Sequence, residues 1–290
     1  AEAVALRIAG MSWFDAVNHA FTTMATGGFS VRNTSISSYQ SDAITWVIIV
    51  FTFLAGINFS LLYAVVRGRI KDALRSEELR WYLLILAITI TLICVDLHVE
   101  LGQGWYESAK DAAFQATTIM STTGYATKDF TLWPTFSRCI LVLLMYVGGC
   151  AGSTAGGMKI SRLMLQVKSL RRELDHIIHP NRVSVITMDG QSVDERAVTS
   201  AHMFQVAYLL ILMAGTLVVS LDVLGFTESF VASLTCISNV GPSLGALGPM
   251  ANFAPLSWFS KLVLTLIMLM GRLELMPLLV LLSPSTWRNK

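Results

Sequence analysis

Charged residues are scarce in this chain: Asp, Glu, Lys and Arg make up only 14% of its 290 residues. Hydrophobic residues make up 54%, and a water-soluble domain carries far more charge on its surface. The shortage of charge therefore excludes an ordinary soluble domain. It indicates a membrane protein, whose outer surface is covered by lipid.

Cysteine is also rare, and its spacing argues against a metal site. The four cysteines occur in apolar or glycine-rich contexts with no CxxC pair. We predict that they are small buried hydrophobic residues, with neither a disulfide nor a metal. They are Cys94, Cys139, Cys150 and Cys236.

The sequence contains partial matches to two enzyme motifs, a nucleotide-binding loop and a serine nucleophile, and neither match is complete. The glycine-rich stretch 148–157 is not followed by the GK[ST] of a nucleotide-binding loop. Its Gly-Ser-Thr-Ala-Gly run contains a serine, but a serine nucleophile needs a general base. The apolar segments offer only His98 and His202, at opposite ends of spans. We therefore expect a protein that is not an enzyme.

Five apolar segments are candidates to cross a membrane, and one of them is broken by glycines. Three segments rich in Lys and Arg (67–80, 159–196 and the C-terminus) alternate with segments poor in both, which predicts that the basic segments are cytoplasmic. Within the second basic segment, residues 179–195 should form a cytoplasmic excursion containing a small hairpin. The candidates are Ile44–Val66, Trp81–Asp96, Phe136–Val147 resuming at Met158, Ala197–Leu221 and Trp258–Leu282.

Three shorter segments on the other side resemble one another. Residues 13–30, 109–127 and 227–243 each combine a helical stretch of about three turns with a polar stretch that contains glycine. Such helices are too short to cross about 30 Å at about 1.5 Å per residue. They fit a re-entrant design, which is tolerated inside protein or beside a water-filled cavity. The repeated unit is a span, a half-helix, a polar extended segment and a second span, in parallel copies around one axis.

The polar stretches are predicted to form a cation filter. Glycine allows successive carbonyls to point the same way, and a ring of carbonyls can replace the water shell of a cation. The C-terminal ends of the half-helices favour a cation as well, so no carboxylate is needed. Alternatively, Thr-Gly marks a re-entrant turn without transport, although three copies argue against this. We align Gly27, Gly124 and Gly241, and we expect the cation at the carbonyls of Ala25, Thr26, Gly27, Thr122, Thr123, Gly124, Asn239, Val240 and Gly241.

A second layer is predicted beneath the filter. Counting thirty-one residues from each aligned glycine reaches Asn58, Ala155 and Arg272, which places an amide, the glycine-rich stretch and a guanidinium at one level. Non-helical backbone and an arginine at that depth are typical of functional positions. Alternatively, Arg272 forms a structural pair with Glu274. The predicted gate comprises Gly148, Gly149, Gly152, Ser153, Thr154, Gly156, Gly157, Arg272 and Asn58.

Five motifs in order give the chain a family resemblance. They are FTTMATGGFS, TTIMSTTGYAT, SNVGPS, GGCAGSTAGGMKISR and GRLELMP. Together they resemble the TrkH/TrkG branch of the Trk/Ktr/HKT superfamily of potassium transporters. The resemblance implies an all-α membrane protein with pore repeats around a pseudo-fourfold axis, in a bacterial inner membrane. Family members have four such repeats, so we expect this chain to be the C-terminal part of a longer protein.

The resemblance also implies an organisation and partners. Residues 1–75 match the second half of repeat two, residues 76–178 repeat three and residues 196–290 repeat four, with 179–195 as the cytoplasmic excursion. It implies potassium uptake by a homodimer on a cytoplasmic ring of nucleotide-binding regulatory subunits, with K⁺ as the transported ion. No organic cofactor and no nucleic acid are expected. An ion-coupled secondary transporter with a broken-helix site, an intramembrane enzyme and a non-conducting scaffold are the alternatives.

Overall fold

The structure is a computed structural model that describes residues 1–181, 184–222 and 224–275, together with 277, 280, 281 and 287. It is helical almost throughout, as the sequence predicts. The described α-helices are α1 (Glu2–Ile8), α2 (Trp13–Met24), α3 (Asp42–Ala55), α4 (Phe59–Val66), α5 (Ile70–Arg75), α6 (Glu77–Leu101), α7 (Trp105–Met120), α8 (Thr135–Val147), α9 (Ile160–Ile178), α10 (Glu195–Val219), α11 (Phe226–Ser238) and α12 (Trp258–Arg272).

A single small hairpin accounts for the strands found in the described residues. It joins β1 (Thr187–Met188) and β2 (Gln191–Ser192) in antiparallel register, Thr187 opposite Ser192. This confirms the hairpin predicted within residues 179–195. Short 3₁₀ turns lie at Ser35–Tyr39, Phe130–Leu132, Ser220–Asp222 and Gly245–Leu247.

The helices repeat one packing arrangement three times. In each copy one helix packs between a preceding and a following helix: α2 between α1 and α3, α7 between α6 and α8, and α11 between α10 and α12. The following helix of one copy also packs against the short helix of the next, α3 on α7 and α8 on α11. The three copies are therefore arranged around a common axis, and we call α2, α7 and α11 the axial helices.

Side-chain burial separates an inner from an outer surface. The last ten residues of α7, from Asp111 to Met120, are all buried, so this axial helix lies at the centre of the protein. In contrast, α6 carries exposed apolar side chains at helical spacing, namely Leu84, Ile88, Leu92, Val95 and Val99. An exposed apolar stripe of this kind is typical of a helix that faces lipid.

The predicted spans are shorter and more broken than expected. Among the described residues two helices, Glu77–Leu101 and Glu195–Asp222, are long and apolar enough to cross a membrane. The predicted span Ile44–Val66 is wrong as a continuous helix, because α3 and α4 meet at an angle of 108°. Gly56 ends α3, and the side chain of Asn58 accepts a hydrogen bond from the Ser60 N–H (2.8 Å) to cap α4.

The remaining two candidates are also interrupted. Helix α8 ends at Val147 and α9 begins at Ile160, which confirms the predicted break. In the last candidate, Trp258–Leu282, α12 ends at Arg272, residues 277, 280 and 281 are again helical, and the predicted C-terminal end of that span, Leu282, lies outside the described residues. At about 1.5 Å per residue, α8 and α12 each extend about 20 Å, less than the thickness of a bilayer core.

The four cysteines are free in the structure, and they are not all buried. Cys150 and Cys236 are buried, Cys94 is half-buried, and Cys139 is exposed on α8. The prediction of burial is therefore wrong for Cys139, which lies on the surface that lipid would cover.

Candidate functional site

The axial helices end in three segments with the same backbone shape. We call residues 25–28, 121–124 and 238–241 the axial segments. Each contains a residue with positive φ and, two positions later, a glycine with positive φ. The pairs are Thr26 (49°) and Gly28 (63°), Thr122 (56°) and Gly124 (81°), and Asn239 (57°) and Gly241 (108°).

The three axial segments also form equivalent backbone hydrogen bonds. In each axial segment the residue between the two positive-φ positions donates its N–H to the carbonyl of a threonine five residues earlier. The bonds are Gly27 N to Thr22 O (2.8 Å), Thr123 N to Thr118 O (2.8 Å) and Val240 N to Thr235 O (3.0 Å).

This geometry corrects the predicted alignment by one residue. Gly28, not Gly27, is equivalent to Gly124 and Gly241, and Gly27 corresponds to Thr123 and Val240. A spacing in the sequence carries the same information. The acidic residue of the first turn or two of each axial helix precedes the equivalent glycine by thirteen residues, in Asp15–Gly28, Asp111–Gly124 and Glu228–Gly241.

Adjacent axial segments touch through these glycines. A Cβ atom on Gly28 would lie 1.8 Å from the Thr123 carbonyl oxygen, and one on Gly124 would lie 2.0 Å from the Val240 carbonyl oxygen. No atom of the described structure lies within 4 Å of a Cβ on Gly241. The segments thus follow one another around the axis, with open space after the third.

The glycine loop, residues 148–157, lies directly beneath the axial segments. The Thr154 carbonyl accepts the hydroxyl of Thr26 (2.7 Å), and the Gly156 N–H donates to the hydroxyl of Thr122 (2.6 Å). A Cβ on Gly156 would lie 2.2 Å from the Ser238 carbonyl oxygen. One loop therefore contacts all three axial segments.

The loop also joins the break between α3 and α4. The Cys150 N–H donates to the Gly56 carbonyl (3.0 Å), and the Phe59 N–H donates to the Gly152 carbonyl (3.1 Å). The side-chain amide of Asn58 lies against Gly152, and its nitrogen would be 3.0 Å from a Cβ atom added there. The bend in one copy and the glycine loop in the next therefore form a continuous layer.

Arg272 completes this layer. Its guanidinium donates to the carbonyls of Thr154 (2.9 Å) and Ala25 (3.3 Å), so it links the glycine loop to an axial segment. The alternative pairing with Glu274 is not observed, because Glu274 forms an ion pair with Arg162 (2.7 Å). Asn58 and Arg272 thus both contact the glycine loop, to which Ala155 belongs.

Two charged residues that contact the glycine loop, Lys159 and Glu78, were not predicted from the sequence. The Lys159 ammonium donates to the carbonyls of Ser153 (3.4 Å) and Ala155, and Lys159 has a positive φ of 71°. The carboxylate of Glu78 accepts backbone hydrogen bonds at both ends of the loop. The isolated lysine that directly follows Gly156-Gly157-Met158 could have revealed the first of them.

Cavities lie on both sides of the axial segments. A cavity of ≈ 510 Å³ opens on the side away from the loop and is lined by Gly28, Thr123, Gly124 and Gly241 among others. A second cavity of ≈ 250 Å³ lies beneath the loop and is lined by Thr154, Lys159, Arg162, Arg272 and Glu274, among others. No group of three or more His, Cys, Asp or Glu side chains in the described residues is arranged to hold a metal ion.

Acidic side chains anchor the rim of the first cavity. Asp15 pairs with Arg32 (3.3 Å) and accepts the Tyr39 hydroxyl (2.9 Å), while Asp111 pairs with Lys128 (2.6 Å). The hydrogen bond with Tyr39 and the charge of Asp15 raise the pKa of the Arg32 guanidinium. Arg32 and Lys128 follow their glycines at equal distance, so the two copies share this contact.

Axial helices around one axis, axial segments at their ends and a loop beneath those segments define a helical membrane protein with an axial site. A family model described as a cation transport protein, TrkH, matches residues 4–289. The chain belongs to the TrkH family of cation transport proteins.

Individual relatives are similar over almost the whole chain. It is 34% identical over 292 residues to the Trk system potassium uptake protein TrkH of Salmonella typhimurium, covering 99% of this chain and 59% of that protein. It is 35% identical over 289 residues to TrkI of Halomonas elongata, covering 99% of this chain and 58% of that protein. The chain thus spans about three fifths of the length of these relatives.

A solved structure has the same fold. The crystal structure of the potassium transporter TrkH from Vibrio parahaemolyticus superimposes with a TM-score of 0.92 at 34% identity. The match covers 99% of this chain and 62% of that one. At this similarity the two chains share the overall fold.

Proposed function

We propose that this protein takes up potassium across the bacterial inner membrane through a filter of backbone carbonyls. The observation that carries the proposal is the threefold repetition of one backbone geometry, in which axial segments from three copies touch around a common axis. A ring of backbone carbonyls can replace the hydration shell of a cation, and matching hydrogen bonds would hold the three axial segments in the same conformation. The relatives are named as potassium uptake proteins, which supports K⁺ as the ion.

The electrostatics of the axial helices favour a cation at this place. Helices α2, α7 and α11 all end at the axial segments, and the C-terminal end of a helix carries a partial negative charge. The K⁺ ligands would be the carbonyls of residues 25–28, 122–124 and 239–241. This set now includes Gly28 in addition to the residues predicted from the sequence.

The glycine loop and Arg272 would close the path below the filter. The loop contacts every axial segment, and Arg272 adds a positive charge at the same level. A guanidinium keeps its proton, so this charge persists in the path of a cation. Asn58, which lies against Gly152, would hold the loop from the side of α4.

Orientation, repeats and assembly complete the proposal. The basic segments 67–80 and 159–196 would be cytoplasmic, as would the C-terminus, in three parallel repeats bounded at residues 75, 178 and 196. By family resemblance the protein would be a homodimer on a cytoplasmic ring of nucleotide-binding regulatory subunits. Ion-coupled transport is the second candidate, because helices interrupted near the axis also occur in coupled transporters.

Rubidium uptake by the full-length gene product in proteoliposomes tests the proposal. We expect uptake of ⁸⁶Rb⁺ that K⁺ inhibits far better than Na⁺, and that needs no opposing proton or sodium gradient. Deletion of residues 151–155 should raise uptake several-fold without the regulatory subunits, because the barrier is then removed and the filter remains. Uptake that requires a sodium or proton gradient would favour the coupled transporter, and unchanged uptake in a folded deletion variant would exclude the loop as a barrier.

A further inference from the structure

A buried carboxylate holds the two ends of the glycine loop together. Glu78 lies in the first turn of α6, and its Oε1 accepts the N–H of Ala151 (2.6 Å) and the N–H of Ser161 (3.2 Å). Ala151 belongs to the start of the loop and Ser161 to the first turn of α9. A buried charge is costly unless hydrogen bonds satisfy it, and here one oxygen bridges the loop's entry and exit.

The turn of α6 that carries Glu78 is capped by the hairpin. The N-cap residue Ser76 makes no side-chain capping bond. Instead Asp189, in the turn between β1 and β2, accepts the Glu77 N–H at 2.6 Å. An acidic group at a helix N-terminus satisfies an otherwise free N–H and interacts favourably with the helix dipole. The hairpin, distant in sequence, thus fixes the orientation of the residue next to Glu78.

A third contact, from α9, links the hairpin to the start of α6. The Lys168 ammonium donates to the Glu77 carboxylate and to the Thr187 carbonyl (2.6 Å), so α9 holds both the hairpin and the start of α6. The hairpin turn is exposed, whereas Glu78 is buried. An exposed element is therefore joined to the glycine loop through a single helical turn.

We propose that Glu78 is a positioning residue through which the hairpin controls the glycine loop. Displacement of Asp189 from the N-terminus of α6 frees that turn, moves the Glu78 carboxylate and releases Ala151 and Ser161 together. This inference rests on the proposed function of the loop as a barrier. A helix-capping role alone would affect stability and leave the flux of the folded protein unchanged.

The experiment compares substitutions at the two ends of the connection, in the full-length gene product without regulatory subunits. Glu78→Ala and Asp189→Ala should each raise ⁸⁶Rb⁺ uptake several-fold while Rb⁺ over Na⁺ discrimination stays at its original value. Asp189→Asn keeps a capping oxygen and should restore most of the original rate. The double variant should exceed Glu78→Ala by little, because both changes break one connection.

Controls separate this proposal from the function on which it rests. Asp72→Ala removes an exposed carboxylate from α5 and should leave uptake unchanged. Asp189 lies on an exposed turn, so its variants keep the test valid if Glu78→Ala does not fold. Original or lower uptake in folded Asp189→Ala, or additive effects in the double variant, would overturn the connection while the deletion of residues 151–155 still raises uptake. If that deletion has no effect either, the proposed barrier itself fails.

Discussion

The layer of the axial segments repeats the same structure in three copies, whereas the layer beneath it does not. In the upper layer three copies of one sequence pattern form the same hydrogen bonds and the same positive-φ positions. In the lower layer each copy contributes a different structural element: the first a bend at Asn58, the second the glycine loop and the third Arg272. The same helix order thus supports a symmetric layer and an asymmetric one.

The difference follows from what each layer would have to do. A filter made of a ring of backbone carbonyls is formed when each copy keeps the same backbone conformation. A barrier needs only one element that obstructs the path and others that hold it. The equivalent residues Thr26, Thr122 and Asn239 have the same backbone conformation, but their side chains have different hydrogen-bond partners. The two threonines bind the glycine loop, whereas Asn239 donates to the Met268 carbonyl of α12 (3.1 Å).

The largest expected effect tests the symmetry of the upper layer. Gly28→Ala should abolish Rb⁺ over Na⁺ discrimination or uptake, because its Cβ would lie 1.8 Å from the Thr123 carbonyl oxygen and its φ is 63°. The positive φ alone costs about 1–2 kcal/mol for a residue with a Cβ. We expect a loss of roughly tenfold or more, which corresponds to about 1.4 kcal/mol. Reversal potentials and ⁸⁶Rb⁺ competition in the full-length protein measure it.

Gly27→Ala is the matched control for this prediction. Gly27 has no positive φ, and the nearest atom to its Cβ is 3.3 Å away, on the flexible ring of Phe29. This variant should keep most of the discrimination, as expected for a position where the other copies carry Thr123 and Val240. If Gly27→Ala is as damaging as Gly28→Ala, the register derived from the hydrogen bonds is incorrect.

A smaller effect is expected in the lower layer, at Arg272. Arg272→Ala should raise uptake, because it removes a positive charge from the path and two hydrogen bonds from Thr154 and Ala25. Arg272→Lys keeps the charge but loses the forked geometry, so its rate should lie between the other two. Uptake at matched expression measures the series. An alanine variant with the original rate would mean that Arg272 only supports the fold.

The sequence predicts the symmetric layer better than the asymmetric one. Repetition identifies the axial helices and segments, since a pattern that occurs three times is hard to produce by chance. Its register failed in one copy because Gly27 and Gly28 are adjacent and equally suitable by residue type. The φ values and carbonyl contacts distinguish them, and so does the spacing of thirteen residues from the acidic residue of each axial helix.

Contacts between elements distant in sequence escaped prediction. The pairing of Glu78 with Ala151 joins α6 to the glycine loop, and the capping of α6 by Asp189 depends on where the hairpin packs. The bend between α3 and α4 was missed for a related reason. Gly56 and Asn58 are single residues within an apolar run, and the helix ends there because the glycine loop of the next copy binds the free backbone groups.

The smallest expected effect concerns the rim, where the three copies differ in how the acid of each axial helix is satisfied. Asp111 is buried and pairs with Lys128, Asp15 has both Arg32 and Tyr39, and Glu228 accepts the Ala246 N–H (2.8 Å).

Lys128→Met should therefore lower the free energy of unfolding by about 1 kcal/mol, since it leaves a buried carboxylate without its cation, although Lys128 itself is partly exposed. Arg32→Met should have less effect, because the Tyr39 hydroxyl remains on Asp15. Thermal unfolding in detergent measures both, with Lys110→Met as the control. Lys110 pairs with the exposed Asp42, and such pairs contribute little. If Lys110→Met and Lys128→Met lower the midpoint equally, the rim is held by general surface charge and the equivalence of Asp15 and Asp111 has no energetic meaning.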